Sequence, residues 1–163
     1  MPLPPSTANY QVGGAKVIVG GLDFGNVVSL EADPTDITVL QHFTARSGAR
    51  KLDKQVVVQK RLTFRVGLDE HAAELYRKFF LGGETGLTVT PLVLPLVDLN
   101  CVIEYRNETA LVWSYSHTKV NVRPSGAMDF GEFDDFVGYE VEIEALEDTA
   151  VPSAPQGRFT FTA

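Results

Sequence analysis

Histidines and clustered acids are the side chains of this 163-residue chain that could bind a metal ion or move protons. His42, His71 and His117 stand far apart in the sequence, and no His or Cys pair has the spacing of metal ligands. The acids of residues 129–135 lack the Asp-x-Asp-x-Asp-Gly order of a calcium loop. No nucleophile elbow or phosphate-binding glycine loop is present either. We therefore predict no catalytic residues, no metal and no cofactor.

Charge is unevenly distributed along the chain, whose formal net charge is −7. Seven basic residues and one acid lie between Arg46 and Arg65, whereas nine acids and no Lys or Arg lie between Asp129 and Asp148. An acidic chain argues against a protein whose task is to grip nucleic acid. A basic segment and an acidic segment in one chain favour head-to-tail association of identical copies.

Two stretches are the candidate contact surfaces for such an association. The first is a basic, glycine-hinged hairpin arm predicted at residues 41–61. Its predicted contact residues are Arg46, Gly48, Arg50, Lys51 and Lys54. The acidic partner surface predicted for it consists of Asp129, Glu132, Asp134 and Asp135. The alternatives are a hairpin that is simply solvated and an arm that contacts nucleic-acid phosphates.

Residues 138–146 show the clearest alternation in the chain, which predicts a half-buried strand. Its polar face is formed by Glu140, Glu142 and Glu144. No cation lies between these glutamates in the sequence, so we expect mutual repulsion of their like charges. The default interpretation is an ordinary solvated sheet face, and the alternative is a negative surface that does not adhere to DNA.

Short strands joined by turn signals account for most of the remaining chain. One helix is predicted at about residues 69–81, with Asp69 as its N-cap, one apolar stripe, and Gly82-Gly83 as its left-handed exit. Many strands and a single helix predict a mainly β fold: a β-sandwich or barrel with one flanking helix and the protruding arm.

The chain length predicts one domain, residues 1–163, with loose segments at residues 1–12 and 150–163. The lone cysteine, Cys101, lies in an apolar stretch and is expected to be a buried hydrophobe. The apolar stretch at residues 92–99 is too short to span a bilayer, so we expect no membrane insertion.

The order of these elements resembles the tail tube (major tail) proteins of long-tailed bacteriophages. An opening strand is followed by residues 25–31, by the arm through Ser47-Gly48, and by a helix from Leu68-Asp69-Glu70 to a Phe79-Phe80-Leu81-Gly82 run. The resemblance covers most of the chain in layout and residues 22–83 in detail. It implies a β-sandwich with a flanking helix, hexameric rings that close a common barrel, stacking of those rings into a tube, and no enzyme activity.

The resemblance also implies partners and a location. The partners are further copies of the chain and other tail proteins, such as terminator, tape-measure and baseplate or initiator proteins, and DNA passes through without specific binding. The location is the virion tail, assembled in the host cytoplasm, with the arm on the neighbouring ring. The resemblance does not identify the strand that lines the lumen, because no motif marks it; Glu140, Glu142 and Glu144 are our own candidates for the lumen.

Several alternatives to a tail tube subunit stay open. A tail terminator, or the inner tube subunit of a contractile injection or secretion system, belongs to the same structural lineage. A small β-barrel enzyme and a β-barrel that binds nucleic acid through the basic arm belong to other classes.

Overall fold

Strands dominate the computed structural model, which describes residues 13–35, 37–44, 51–69, 73–85, 88–93, 98–107, 110–126 and 138–162. The elements in chain order are β1 (Gly13–Val19), β2 (Leu22–Asp23), β3 (Val27–Asp33), β4 (Ile37–Thr44), β5 (Lys51–Lys60), β6 (Leu62–Leu68), α1 (Ala73–Phe79), β7 (Gly83–Thr85), β8 (Thr88–Thr90), β9 (Leu99–Asn107), β10 (Leu111–Pro124), β11 (Tyr139–Ala145) and β12 (Arg158–Phe161). The predicted mainly β fold with one helix is confirmed within these ranges.

One antiparallel sheet carries the body of the protein, in the strand order β2-β1-β9-β10-β11-β6-β3. The long strand β10 pairs with β9 along one edge and with β12 and then β11 along the other. The end strands β2 and β3 are not paired with each other, so the described sheet is not a closed barrel. It curls instead, and this curl brings β3 into contact with β1.

The core lies inside this curl and is built by alternate residues of the strands. On β11 the side chains of Tyr139, Val141, Ile143 and Ala145 are buried, as the alternation predicts. The largest fully buried side chains of the neighbouring elements are Tyr115, Phe24, Phe64, Leu68 and Ile103. Cys101 is buried as expected.

The helix α1 closes one end of the core with an apolar stripe. Leu75 and Phe79 are buried, and the Phe79 ring meets the Tyr139 ring edge-on at 5.4 Å between centroids. The predicted start of the helix at residues 70–72 lies outside the described residues. No helix in the described ranges is long and apolar enough to cross a membrane.

The predicted role of Gly82-Gly83 at the end of α1 is wrong in detail. Leu81, with φ 50°, is the residue in the left-handed conformation, and the Gly82 amide donates to the Arg77 carbonyl at 2.9 Å. Gly82 is needed for a different reason: a Cβ there would lie 2.8 Å from the carbonyl oxygen of Thr90 at the end of β8. The glycine therefore permits close backbone packing of the helix end against a hairpin.

Candidate assembly surfaces

The arm is a two-stranded ribbon separate from the main sheet. Its strands β4 and β5 pair antiparallel from Ile37↔Lys60 to Thr44↔Lys51, so the ladder starts earlier than the predicted residues 41–61. Register shifts leave Val58 and Asp53 unpaired, as in β-bulges. The protruding hairpin of the prediction is therefore present, and it is longer than expected.

Two of the five predicted contact residues of the arm have a described backbone. Lys51 lies opposite Thr44, and the exposed Lys54 lies opposite His42. The other three, Arg46, Gly48 and Arg50, lie outside the described residues. The same holds for the whole predicted acidic partner surface, which consists of Asp129, Glu132, Asp134 and Asp135.

The arm exposes an apolar surface that the sequence analysis did not identify. Directly opposed residues of an antiparallel pair share a face, and the register places five large hydrophobic residues on one face of the ribbon. We call this the arm's apolar face: Ile37, Val39, Phe43, Leu52 and Val57, exposed by 50%, 39%, 42%, 48% and 46%. The opposite face adds the exposed pair Leu40 and Val56. A ribbon of this kind has unpaired edges and is marginally stable alone in water.

The base of the arm is anchored to the C-terminal part of the chain. The Gln156 side-chain amide donates a hydrogen bond to the Lys60 carbonyl. A cleft of about 600 Å³ lies between residues 57–60 of β5 and residues 153–157. The Tyr115 hydroxyl donates to the Gln156 carbonyl at 2.8 Å, which ties this loop to the core, and burial raises the pKa of Tyr115.

Cations of neighbouring segments compensate the glutamates of β11, so the expected mutual repulsion without a nearby cation is wrong. The Arg123 guanidinium donates to the Glu142 carboxylate and lies 3.3 Å from that of Glu144. Arg61 lies 3.4 Å from the other Glu144 oxygen, and Ser125 donates its hydroxyl to Glu140. The hydrogen bond to Glu142 is also the main cause that raises the pKa of Arg123.

Charges alternate across four strands on this outer face of the sheet. Arg123 on β10 lies opposite Glu142 on β11, which lies opposite Arg65 on β6, which lies opposite Glu31 on β3. Neighbouring charges of opposite sign stabilise a sheet modestly, and less where water screens them. The face is therefore polar and close to charge-balanced.

The histidines and acids that could do chemistry do not converge in the described part of the chain. His117 is buried, and its Nε2 lies 2.6 Å from the Leu146 carbonyl oxygen, while exposed His42 pairs with Asp53 at 3.4 Å. No group of three His, Cys, Asp or Glu side chains that could hold a metal is found among the described residues. The feature that stands out among the described residues is the set of exposed hydrophobic side chains on the arm.

Comparison with known proteins identifies the fold. No family model and no curated protein matches the chain. Among solved structures, the anti-feeding prophage cap (AFP tube terminating cap) matches with a TM-score of 0.55 and 11% identity, covering 99% of this chain and 95% of that one. The chain has the fold of this tube cap. The match spans nearly the full length of both proteins, so the fold is shared without a large insertion on either side.

Two chains of an extracellular contractile injection system, called PVC, are also similar. They come from its sheath/tube terminator and its sheath-tube complex, both in the extended state. Each has a TM-score of 0.49. The match with the terminator chain has 16% identity and covers 100% of this chain and 98% of that one. The match with the sheath-tube chain has 14% identity and covers 97% of this chain and 99% of that one.

Proposed function

We propose that this protein is a structural subunit of a phage tail or tail-like injection particle, in which it caps the end of the tube. The observation that carries this proposal is the fold shared along nearly the whole length of both chains with a tube terminating cap. It favours the terminator alternative over the tail tube subunit that the sequence analysis put first. The protein would have no catalytic activity of its own.

The geometry of the arm supports an assembled state. Single exposed hydrophobic residues are normal on a protein surface, but five on one face of a protruding ribbon indicate a surface that a partner covers. They lie on either side of the pair Gln41 and Gln55, which shares that face. The arm's apolar face is half-exposed in the isolated chain. In our proposal it is buried against a neighbouring subunit of the ring or of the tube end.

Ring formation and capping need two different contacts. Copies of the chain associate laterally into a ring, and one side of that ring binds the last ring of the tube. A cap differs from a tube subunit because only one side of its ring accepts further subunits, which ends a head-to-tail stack. Other tail proteins, such as tube and tape-measure proteins, are the further partners in this proposal.

The balanced outer face of the sheet is a candidate lining of the channel. Glu142 and Glu144 are ion-paired with arginines of neighbouring strands. A polar face with few unpaired cations offers little to the phosphates of a passing DNA. We keep Glu140, Glu142 and Glu144 as the candidate lumen residues, with charge balance instead of net negative charge as the reason.

A tube subunit is the second candidate, and the protruding arm favours it. A long ribbon with an exposed apolar face suits contacts that repeat from ring to ring. The two candidates differ in what the purified chain does as its concentration rises. A tube subunit polymerises into hollow tubes, whereas a cap stops at single rings or short stacks.

Negative-stain electron microscopy, with light scattering on the same samples, distinguishes these outcomes. The cap proposal predicts ring-sized particles whose mass reaches a plateau, and binding of these particles at the ends of tubes made from the tube protein of the same system. Long tubes from the chain alone would favour the tube subunit. A monomer that ignores tube ends and binds DNA in a salt-sensitive way would contradict both.

A further inference from the structure

Strand β12 presents a free edge at the C-terminal end of the described chain. It pairs with β10 along one edge, from Trp113↔Phe161 to Ser116↔Arg158. No described strand pairs with its other edge. All four residues of β12 are exposed, and Phe161 is exposed by 72%. An antiparallel sheet with such an edge can accept a strand from another chain.

An aromatic platform adjoins this edge. Tyr105, Trp113 and Phe161 lie opposite one another on β9, β10 and β12 and therefore share a face. The Tyr105 and Trp113 rings stack at 5.6 Å between centroids, and the Phe159 ring meets Trp113 at the same distance. The platform continues the core face of the sheet outward and ends at the exposed Phe161 ring. It is an apolar surface beside unpaired backbone groups.

The arm supplies the complementary features. Both edges of the β4–β5 ribbon lack a described partner strand, and its apolar face is exposed. Its ladder contains eight residue pairs, from Ile37↔Lys60 to Thr44↔Lys51, which is longer than the four residues of β12. The ribbon can therefore pair with the whole of β12 and place apolar side chains beside the exposed edge of the platform.

Overall charge complementarity favours a second copy of this chain as the occupant. Residues 37–60 contain five Lys and Arg and one Asp, which gives this segment a charge of +4. Since the net charge of the whole chain is −7, the remaining residues together carry a charge of −11. A basic arm is attracted to an acidic body, and every copy carries both. In the described structure β12 pairs only with β10 and not with its own arm.

We infer that β12 is the acceptor for the arm of a second copy, which pairs with its free edge and packs beside the Phe161 ring. This inference rests on the proposed role as a subunit that assembles with itself, and it names the contact. Since donor and acceptor are different surfaces of one chain, the contact is heterologous and propagates around a ring or along a stack.

Crosslinking of two variants, each with one added surface cysteine, tests the contact. Thr160, exposed on β12, is changed to Cys in one preparation, and His42 or Lys54, opposed on the arm, is changed to Cys in the other. The preparations are mixed and treated with a short bismaleimide, which tolerates small differences in register. The native Cys101 does not interfere, because it is buried and its burial raises the pKa of the thiol to about 12. The matched control replaces T160C with V28C, since Val28 on β3 is exposed by 57%.

The inference predicts a mixed dimer with T160C and none above background with V28C. A second variant, F161K, is expected to abolish the mixed dimer and to keep the fold, because most of the ring is already exposed. Absence of the T160C product while electron microscopy shows rings would overturn the inference and leave the proposed function standing. A T160C product in a chain that neither forms rings nor binds tube ends would support the contact and remove the proposed function.

Discussion

Removing apolar side chains from the arm should weaken assembly without unfolding the monomer. We consider Leu52→Ser with Val57→Ser, because both residues belong to the arm's apolar face and are exposed by 48% and 46%. Full burial of a Leu or Val side chain stabilises by about 1.5–3 kcal/mol, so the half still exposed corresponds to about 1 kcal/mol for each residue. The pair then contributes about 2 kcal/mol to each arm contact, which is about a 30-fold change in its equilibrium constant.

The measurement is the concentration at which half of the protein is assembled, by sedimentation velocity and light scattering. The control is Val28→Ser with Val93→Ser, which removes two side chains exposed by 57% and 54% elsewhere on the surface. The arm variant should raise the midpoint by about 30-fold, and the control should leave it within a factor of about two. Equal shifts for both variants, or an unchanged midpoint for the arm variant, would refute the role of the apolar face.

Three further predictions concern the fold and its titrating groups. Gly157→Ala should lower the free energy of unfolding, measured by chemical denaturation, by about 1–3 kcal/mol. The reason is that Gly157 has a φ of +85° and that the new Cβ would lie 2.6 Å from the Tyr115 hydroxyl oxygen. An unchanged free energy of unfolding would contradict this packing. The hydrogen bond from Thr118 lowers the pKa of Asp148 below its usual 3.8, so Asp148 stabilises the fold above pH 3.8 and the stabilisation is lost as pH falls further. Thr118→Val should therefore raise that pKa in a carboxyl NMR titration and make the acid-side loss of stability shallower, whereas an unmoved titration would exclude the contact. Cys101, whose pKa burial raises to about 12, should resist thiol reagents at pH 8 until the protein is unfolded, and rapid labelling of the folded chain would contradict its burial.

Local patterns were sufficient for the elements whose signal lies within a few residues. The alternation at residues 138–146 predicted β11 with its buried face, and the apolar stripe predicted the helix. Local patterns failed where the chain continues through an irregularity. β10 is one continuous strand that absorbs a register shift between His117 and Val120, and no pattern of a few residues predicts such a shift.

The properties of the surfaces depended on strand order, which no local pattern contains. Glu142 is neutralised by Arg123, a residue 19 positions away in the sequence that becomes a direct neighbour in the sheet. In the same way, the run Val56-Val57-Val58 has the composition of a buried strand, and only its position on a ribbon outside the main sheet leaves it exposed. The available signal for an apolar arm was the presence of valines on both strands of the hairpin, such as Val39 and Val57. The basic residues of the arm made the segment look polar instead.

The preference for a terminator over a tube subunit rests on the comparison of folds. The sequence resemblance covered element order, which cap and tube proteins of one lineage share. The fold match with a tube terminating cap changed the preference. In our proposal the arm mediates association in either case, so the two functions differ only in where growth stops.

Electron microscopy of the purified chain mixed with tubes from its own system tests the central claim most directly. The account predicts ring-shaped density at tube ends, no lengthening of the tubes, and no tubes from the chain alone. Density along the tube wall, or tube growth driven by this chain, would contradict the assignment as a cap.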